Sequence, residues 1–397
     1  MICHFNFCIL HFAFERSDSR FMFNFLTKLN FYLEKPRLII VVGNGRFCAG
    51  EAIYQVLKKH FKTKKIIENQ TLPFLRNDEI LIFQTKFPSI FSFKKLEFLI
   101  KKSSLPVLVV THLADIPPYL NFFAGLREKS DEIIKLAKIM PPAGHLILNF
   151  DDETVREIAD YTNLNTLTFG FGKTCDFNAS DIKINSGTNL KLNHKGNVIP
   201  VRLQYLFGKE QIYSILSAFC VGKILNLNLI EITEALKNYK SLPGKMKLIE
   251  GIKNSLILDD SESATVFSMI EALEILAKVN LLPKFDQKRK IAVLGDVIGI
   301  GKYTIEAHET IGEKIPKSTD LLFTVGQRAK FIGQAAMIQG MEKEKIFSFN
   351  EKKGLIPSLK KIITQGDLIL VDGSKEMEMG EIVEAIKLSA TAPPTTR

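Results

Sequence analysis

Between Leu242 and Gly301 the sequence runs LPGKMKLIEG, then SLILDDSESATVFSMIEALEIL, then RKIAVLGDVIGIG. Ser255 to Leu258 reads as a buried strand that runs into Asp259 and Asp260. The helix that follows has apolar residues at Phe267, Ile270, Leu273 and Leu276, one face of a 3.6-residue period. A second strand, Ile291 to Leu294, ends at Gly295 and Asp296. Strand, helix and parallel strand make one unit of an open α/β sheet, in which ligands gather outside the carboxyl ends of strands. Asp259, Asp260 and Asp296 therefore stand either at a polar site or as simple caps of the next helices. We expect the three to lie close together, on neighbouring parallel strands.

The same alternation fills the chain on both sides. Upstream, strands are read at Leu38 to Val42, Ile80 to Phe83, Pro106 to Thr111 and Leu146 to Leu148, with helices at Ala49 to His60, Lys94 to Lys101 and Glu132 to Lys138. A β-rich stretch covers Thr166 to Leu203, and helices at Gly208 to Leu225 and Ile230 to Tyr239 close this part. Downstream, strands near 255, 291, 321 and 368 are each followed by a helix. The fold class is α/β, with two doubly wound, mainly parallel sheets. The expected units are an extension over 1–35, a domain over 36–240, a Rossmann-like domain over 241–390 and a tail over 391–397. A chain of 397 residues is long enough for two such cores.

Composition narrows the classes of function. Hydrophobic residues at 46% and charged residues at 24% belong to a soluble globular chain. The net charge of +10 is spread over scattered lysines mixed with glutamates, without a basic block, so no nucleic-acid partner is expected. Five cysteines form no paired framework, which fits a reducing cytoplasm. Cys3, His4, Cys8 and His11 lack the spacing of a zinc module. The apolar opening before Met22 is too short to span a bilayer and is expected to be dispensable. From Met22 an amphipathic helix is expected, to rest on a membrane face or pack on the next domain.

Pro243, Gly244, Asp259, Asp260, Ser261, Ala264, Ser268, Met269, Gly295, Asp296, Ala307 and His308 together resemble the C-terminal domain of the Mur ligases. The branch is the one that adds D-Ala-D-Ala to the muramoyl tripeptide of the peptidoglycan precursor. FTVGQRAKFIGQAA from Phe323 and GDLILVDGSKEMEM from Gly366 continue the resemblance. It implies a central domain that holds ATP and Mg²⁺, activation of a carboxylate as an acyl phosphate, and attack by an amine. It also implies a domain ahead of the first strand to grip the UDP sugar. Only about 35 residues stand there, below the ~50 of an autonomous domain.

At the positions the resemblance assigns to chemistry, this chain departs from the family. Where the family reads like TGSNGKTT, this sequence has VGNGRFCAG. Gly43, Asn44 and Gly45 keep the turn, and Arg46 takes the place of the phosphate-binding Lys. Phe47 and Cys48 take the hydroxyl positions, and Gln84 that of the Mg²⁺-binding Glu. The family's carbamylated Lys falls at Ile133, with Lys129 and Lys135 as candidate substitutes. Its His and Glu fall on Tyr119 and Asn121, and a second His and Asn on Glu210 and Ser214. Lys245, Gly299 and Glu378 replace an Arg, a Glu and an Arg, and Glu262-Ser263 a Tyr-Asn pair. His308 is retained as a candidate catalytic residue, and Lys245, Asp259, Asp260 and Asp296 as candidate nucleotide contacts.

Two functions follow as expectations. One is an ATP-dependent acid:amino-acid ligase of precursor synthesis with impaired activity, acting as a monomer on nucleotide and a muramoyl peptide or D-Ala-D-Ala. The other is a non-catalytic relative, without cofactor, that serves as a binding module for a cell-wall ligase or precursor. A ligase of the folylpolyglutamate or cyanophycin type fits ILDDSESA and LGDVIGIG less well.

Overall fold

The computed structural model describes residues 19–86, 90–113, 125–262, 264–281 and 285–388. The opening segment before Ser19, the positions Tyr119 and Asn121, and the tail lie outside the described residues. After helix α1 (Ser19–Glu34), a first sheet takes in β1 (Arg37–Val42), β2 (Thr63–Ile67), β3 (Ile80–Thr85), β4 (Pro106–Val110), β5 (His145–Asn149), β6 (Asn165–Gly170), β7 (Phe177–Ile184), β8 (Gly187–His194) and β9 (Asn197–Gln204). Its order is β2-β3-β1-β4-β5-β6-β7-β8-β9, parallel as far as β7 and antiparallel from there.

A parallel sheet must be covered on both faces, and β1 shows how one short strand serves two cores. Ile39 and Val41 face α2 (Arg46–Leu57) and α6 (Lys209–Ile224). Leu38, Ile40 and Val42 face α3 (Ile90–Lys102) and α4 (Gly125–Lys138). Helix α2 starts at Arg46, earlier than the expected Ala49, because Gly43 at φ +104° turns the chain directly off β1. Short α5 (Glu153–Arg156) follows β5, and α7 (Leu229–Leu236) follows α6.

The second sheet holds β10 (Lys247–Glu250), β11 (Leu256–Asp260), β12 (Arg289–Gly295), β13 (Leu321–Val325), β14 (Ile346–Phe349) and β15 (Asp367–Asp372). Its order is β10-β11-β15-β12-β13-β14, with β10 alone antiparallel. Helices α8 (Val266–Lys278), α9 (Thr304–Gly312), α10 (Lys330–Ile338), α11 (Lys352–Ile362) and α12 (Gly380–Ile386) cover it. The last strand in sequence, β15, is inserted between β11 and β12. The two acid-ended strands are thus not neighbours, which corrects the expected pairing.

Strands β2, β10 and β14 were not read from the sequence, and all three lie at sheet edges. Edge strands are half solvated and carry mixed residues, so TKKII and KLIE lack an apolar signature. Among the described residues no helix is long and apolar enough to cross a membrane.

Candidate active site

The turn after β1 is built around Gly43. Its φ of +104° suits glycine, and a Cβ there would sit 2.4 Å from Thr111 Oγ1. The turn is fastened to the neighbouring strand ends through its own amides. Gly43 N–H donates to Lys86 O (3.1 Å) and Asn44 N–H to His112 O (2.9 Å). Two of the amides expected to cradle phosphate are therefore already satisfied. Arg46 turns back as well: Nη1 donates to Gly43 O (3.2 Å), and the guanidinium lies 4.1 Å over the Phe47 ring. Burial lowers its pKa, while Glu68 and Glu210 oppose that effect.

Gln84 closes the back of this turn. It is buried at the end of β3, and its Nε2 donates to Arg46 O (3.1 Å) and more weakly to Phe47 O (3.5 Å). Gly50 makes the room, since a Cβ at that position would come within 1.9 Å of Nε2. Cys48 is buried, and its thiol is pushed well up, first by burial and then by Glu210. Mg²⁺ needs hard oxygen ligands in octahedral array, usually including a carboxylate. An amide that presents N–H, a neutral thiol and a phenyl ring do not fit that ion.

Across the cleft, Asp259 and Asp260 bind the segment that links the sheets. Asp259 accepts from Gly244 N–H (2.8 Å), Ser261 N–H (3.3 Å) and Ser261 Oγ–H (2.6 Å). Asp260 accepts from Met246 N–H (3.1 Å). Gly244, at φ +68°, has no space for a Cβ beside Glu262. These contacts explain why Pro243-Gly244 and Asp259-Asp260 go together in the sequence. From helix α6, Gln211 Nε2 donates to Lys245 O (3.1 Å) and Ser241 Oγ (3.2 Å), and Tyr239 O–H donates to Gln211 Oε1. Sequence reasoning missed this buried network; a Gln in the first turn of a helix carries no distinctive signal.

Lys245 is half-buried at the same junction. Burial works against its charge, yet Glu210, Cys48, Asp260 and Glu262 outweigh it and raise its pKa. Asp260 pairs in register with Asp372 of β15. Burial pushes the Asp260 carboxyl up to about 8 against partial relief from Lys245, with Glu210 adding to the rise. Asp372 is fully buried, neither of its carboxylate oxygens makes a well-formed hydrogen bond, and burial and then Asp260 raise its pKa well above the usual range. Such an acid reads in sequence as a plain strand end, and it too was missed.

The remaining expected residues sit apart from this centre. Asp296 Oδ1 accepts from Arg328 N–H (3.0 Å) and Ala329 N–H (2.7 Å) and so caps the start of α10. It faces the loop after β13, not the Asp259-Asp260 turn. His308 is buried with both ring nitrogens used: Nδ1 meets Thr304 O (2.6 Å) and Nε2 accepts from Val297 N–H (3.1 Å). That pattern holds a neutral ring, and burial lowers its pKa. Ile133 lies in the apolar core, and Lys135 is exposed and paired with Glu132 (2.6 Å). Lys129 belongs to α4, with its side chain outside the described residues.

Between the halves lies a cleft of about 470 Å³, lined by Phe47, Glu51, Lys65 and Gln84 on one side and by Gly244 and Asp259 on the other. Glu51 is ion-paired with Lys65.

A mainly parallel nine-stranded sheet and a six-stranded, mainly parallel Rossmann-like sheet, with this cleft between them, make up the α/β architecture. The profile of the Mur ligase, glutamate ligase domain matches residues 244–375. The UDP-N-acetylmuramoyl-tripeptide–D-alanyl-D-alanine ligase of Bacillus subtilis strain 168 is 24% identical over 368 residues, covering 89% of this chain and 77% of that protein. The Escherichia coli K12 protein of the same name is 30% identical over 220 residues, 54% of this chain and 45% of its own length. The crystal structure of MurF ligase from Thermotoga maritima in complex with ADP superposes with a TM-score of 0.71 at 20% identity, over 93% of this chain and 84% of that one. Residues 244–375 match the Mur ligase, glutamate ligase domain, and the chain as a whole is similar to the ligases that carry the D-alanyl-D-alanine name.

Proposed function

We propose that this chain serves peptidoglycan precursor synthesis as a Mur ligase whose ATP chemistry is impaired. Its substrates would be those of the tripeptide and D-alanyl-D-alanine ligases it resembles, with a nucleotide held between a domain over 36–240 and one over 241–390. It would act in the cytoplasm as a monomer. The observation that carries the impairment is Gln84, whose amide fills the position of the expected Mg²⁺ carboxylate and is spent on the carbonyls of Arg46 and Phe47. Phosphoryl transfer rests on positioning and charge stabilisation, so the loss of metal ligand and Lys together removes most of the machinery. The cleft walls add to this: Glu51, Asp259, Glu262 and Glu384 oppose Lys65 and Lys245, a poor balance for a triphosphate.

The same observation, with the satisfied amides of Gly43 and Asn44, favours a second reading in which the protein is a non-catalytic binding module for a cell-wall ligase or precursor. Equilibrium ATP binding with and without Mg²⁺ tests both. Weak binding that Mg²⁺ does not strengthen supports impairment. ATP turnover that depends on D-Ala-D-Ala and a muramoyl peptide would refute it. Tight binding of the muramoyl peptide without turnover would select the second reading.

A further inference from the structure

Helix α1 packs on the first sheet with one side only. Thr27 and Phe31 are buried, the Phe31 ring meets Phe98 at 6.2 Å, and Asn30 and Glu34 accept from Leu75 N–H (2.8 Å) and Asn77 N–H (3.1 Å). The other side presents Phe25, Leu26, Leu29, Tyr32 and Leu33, exposed by 52, 39, 42, 46 and 66%. At 3.6 residues per turn these five cover one arc of roughly 120°. Other exposed large apolar residues are more scattered along the chain, so this stripe stands out as a contiguous patch.

Cations border it. Lys28 lies on the helix, Lys35 just past its end, and Lys102 has its Nζ 4.9 Å over the Tyr32 ring. The nearby acids are engaged, Glu34 with the Asn77 amide and Glu97 with Lys101 (2.6 Å). A second copy seated on this face would bring two lysine borders together. An anionic surface is favoured by the same charges.

We propose that α1 docks this protein on an anionic lipid surface, with its apolar stripe at the acyl boundary and the lysines among the headgroups. An apolar face with basic flanks is the pattern of a helix that lies in the interface plane, and each lysine near an anionic leaflet adds attraction. The docking is reversible, because a single amphipathic helix face binds a bilayer only marginally.

The full chain is tested by co-sedimentation with vesicles of equimolar phosphatidylglycerol and phosphatidylcholine, and with phosphatidylcholine alone. Binding is expected to the anionic vesicles, at least about tenfold weaker on neutral ones and in high salt. Leu29→Glu with Leu33→Glu should lower partitioning at least about tenfold with an unchanged melting temperature, since both positions are exposed. Equal partitioning of wild type and double variant would overturn the proposal. So would a dimer that the same substitutions dissolve, or binding that appears only after removal of residues 1–18.

Discussion

Replacing Asp372 by Asn should stabilise the protein in a pH-dependent way. Asp372 is fully buried without a well-formed hydrogen bond, and its register partner Asp260 is held up at about 8 against an ordinary 3.8. A carboxyl whose folded pKa is raised favours the fold below its unfolded pKa and costs stability as pH climbs toward the folded value. The window here runs from about pH 4 to about pH 8. At ~1.4 kcal/mol per unit, the rise of Asp260 alone corresponds to roughly 5 kcal/mol at the top of that window. Burial and Glu210 set the Asp260 rise and persist in the variant; what the variant removes is the carboxyl of Asp372 itself, which burial and then Asp260 hold well above the usual range. We therefore expect about 2 kcal/mol of stabilisation at pH 8, a melting temperature higher by about 4–8 °C, and no difference near pH 4. Thermal and urea melts of both proteins across that range decide it. A variant less stable than wild type at pH 8, or a gain that grows toward pH 4, would refute the reasoning.

Arg46→Lys, Phe47→Thr and Gln84→Glu combined should strengthen Mg²⁺-dependent ATP binding by at least about tenfold in calorimetry, because they return a metal carboxylate, a hydroxyl and a compact ammonium. Gly50→Ala places a Cβ against the pinned Gln84 amide and should cost about 1–3 kcal/mol in urea melts, with recovery when Gln84→Ala is added. Asp296→Ala removes the acceptor for two amides at the start of α10 and should lower stability by about 1–2 kcal/mol with little effect on the cleft.

Much of this protein follows from local pattern. The apolar runs at Leu38 to Val42 and Ile291 to Leu294, the helical spacing from Phe267 to Leu276 and the short turns between them dictate an α/β chain with parallel sheets. The departures at Arg46, Phe47, Cys48 and Gln84 were visible for the same reason: a turn between a strand and a helix has few residues, so each can be set against the chemistry the position requires. What local pattern does not hold is strand order. Inserting β15 between β11 and β12 joins residues more than a hundred positions apart, and it brings Asp372 to Asp260 while it sets Asp296 a full strand away from Asp260. Nor does it hold side-chain direction beyond a strand end. Asp259 turns to the linker amide of Gly244, Asp296 to the start of α10 and the Gln84 amide to the carbonyls of α2, and each direction was decided by which unsatisfied backbone group the folded chain left within reach.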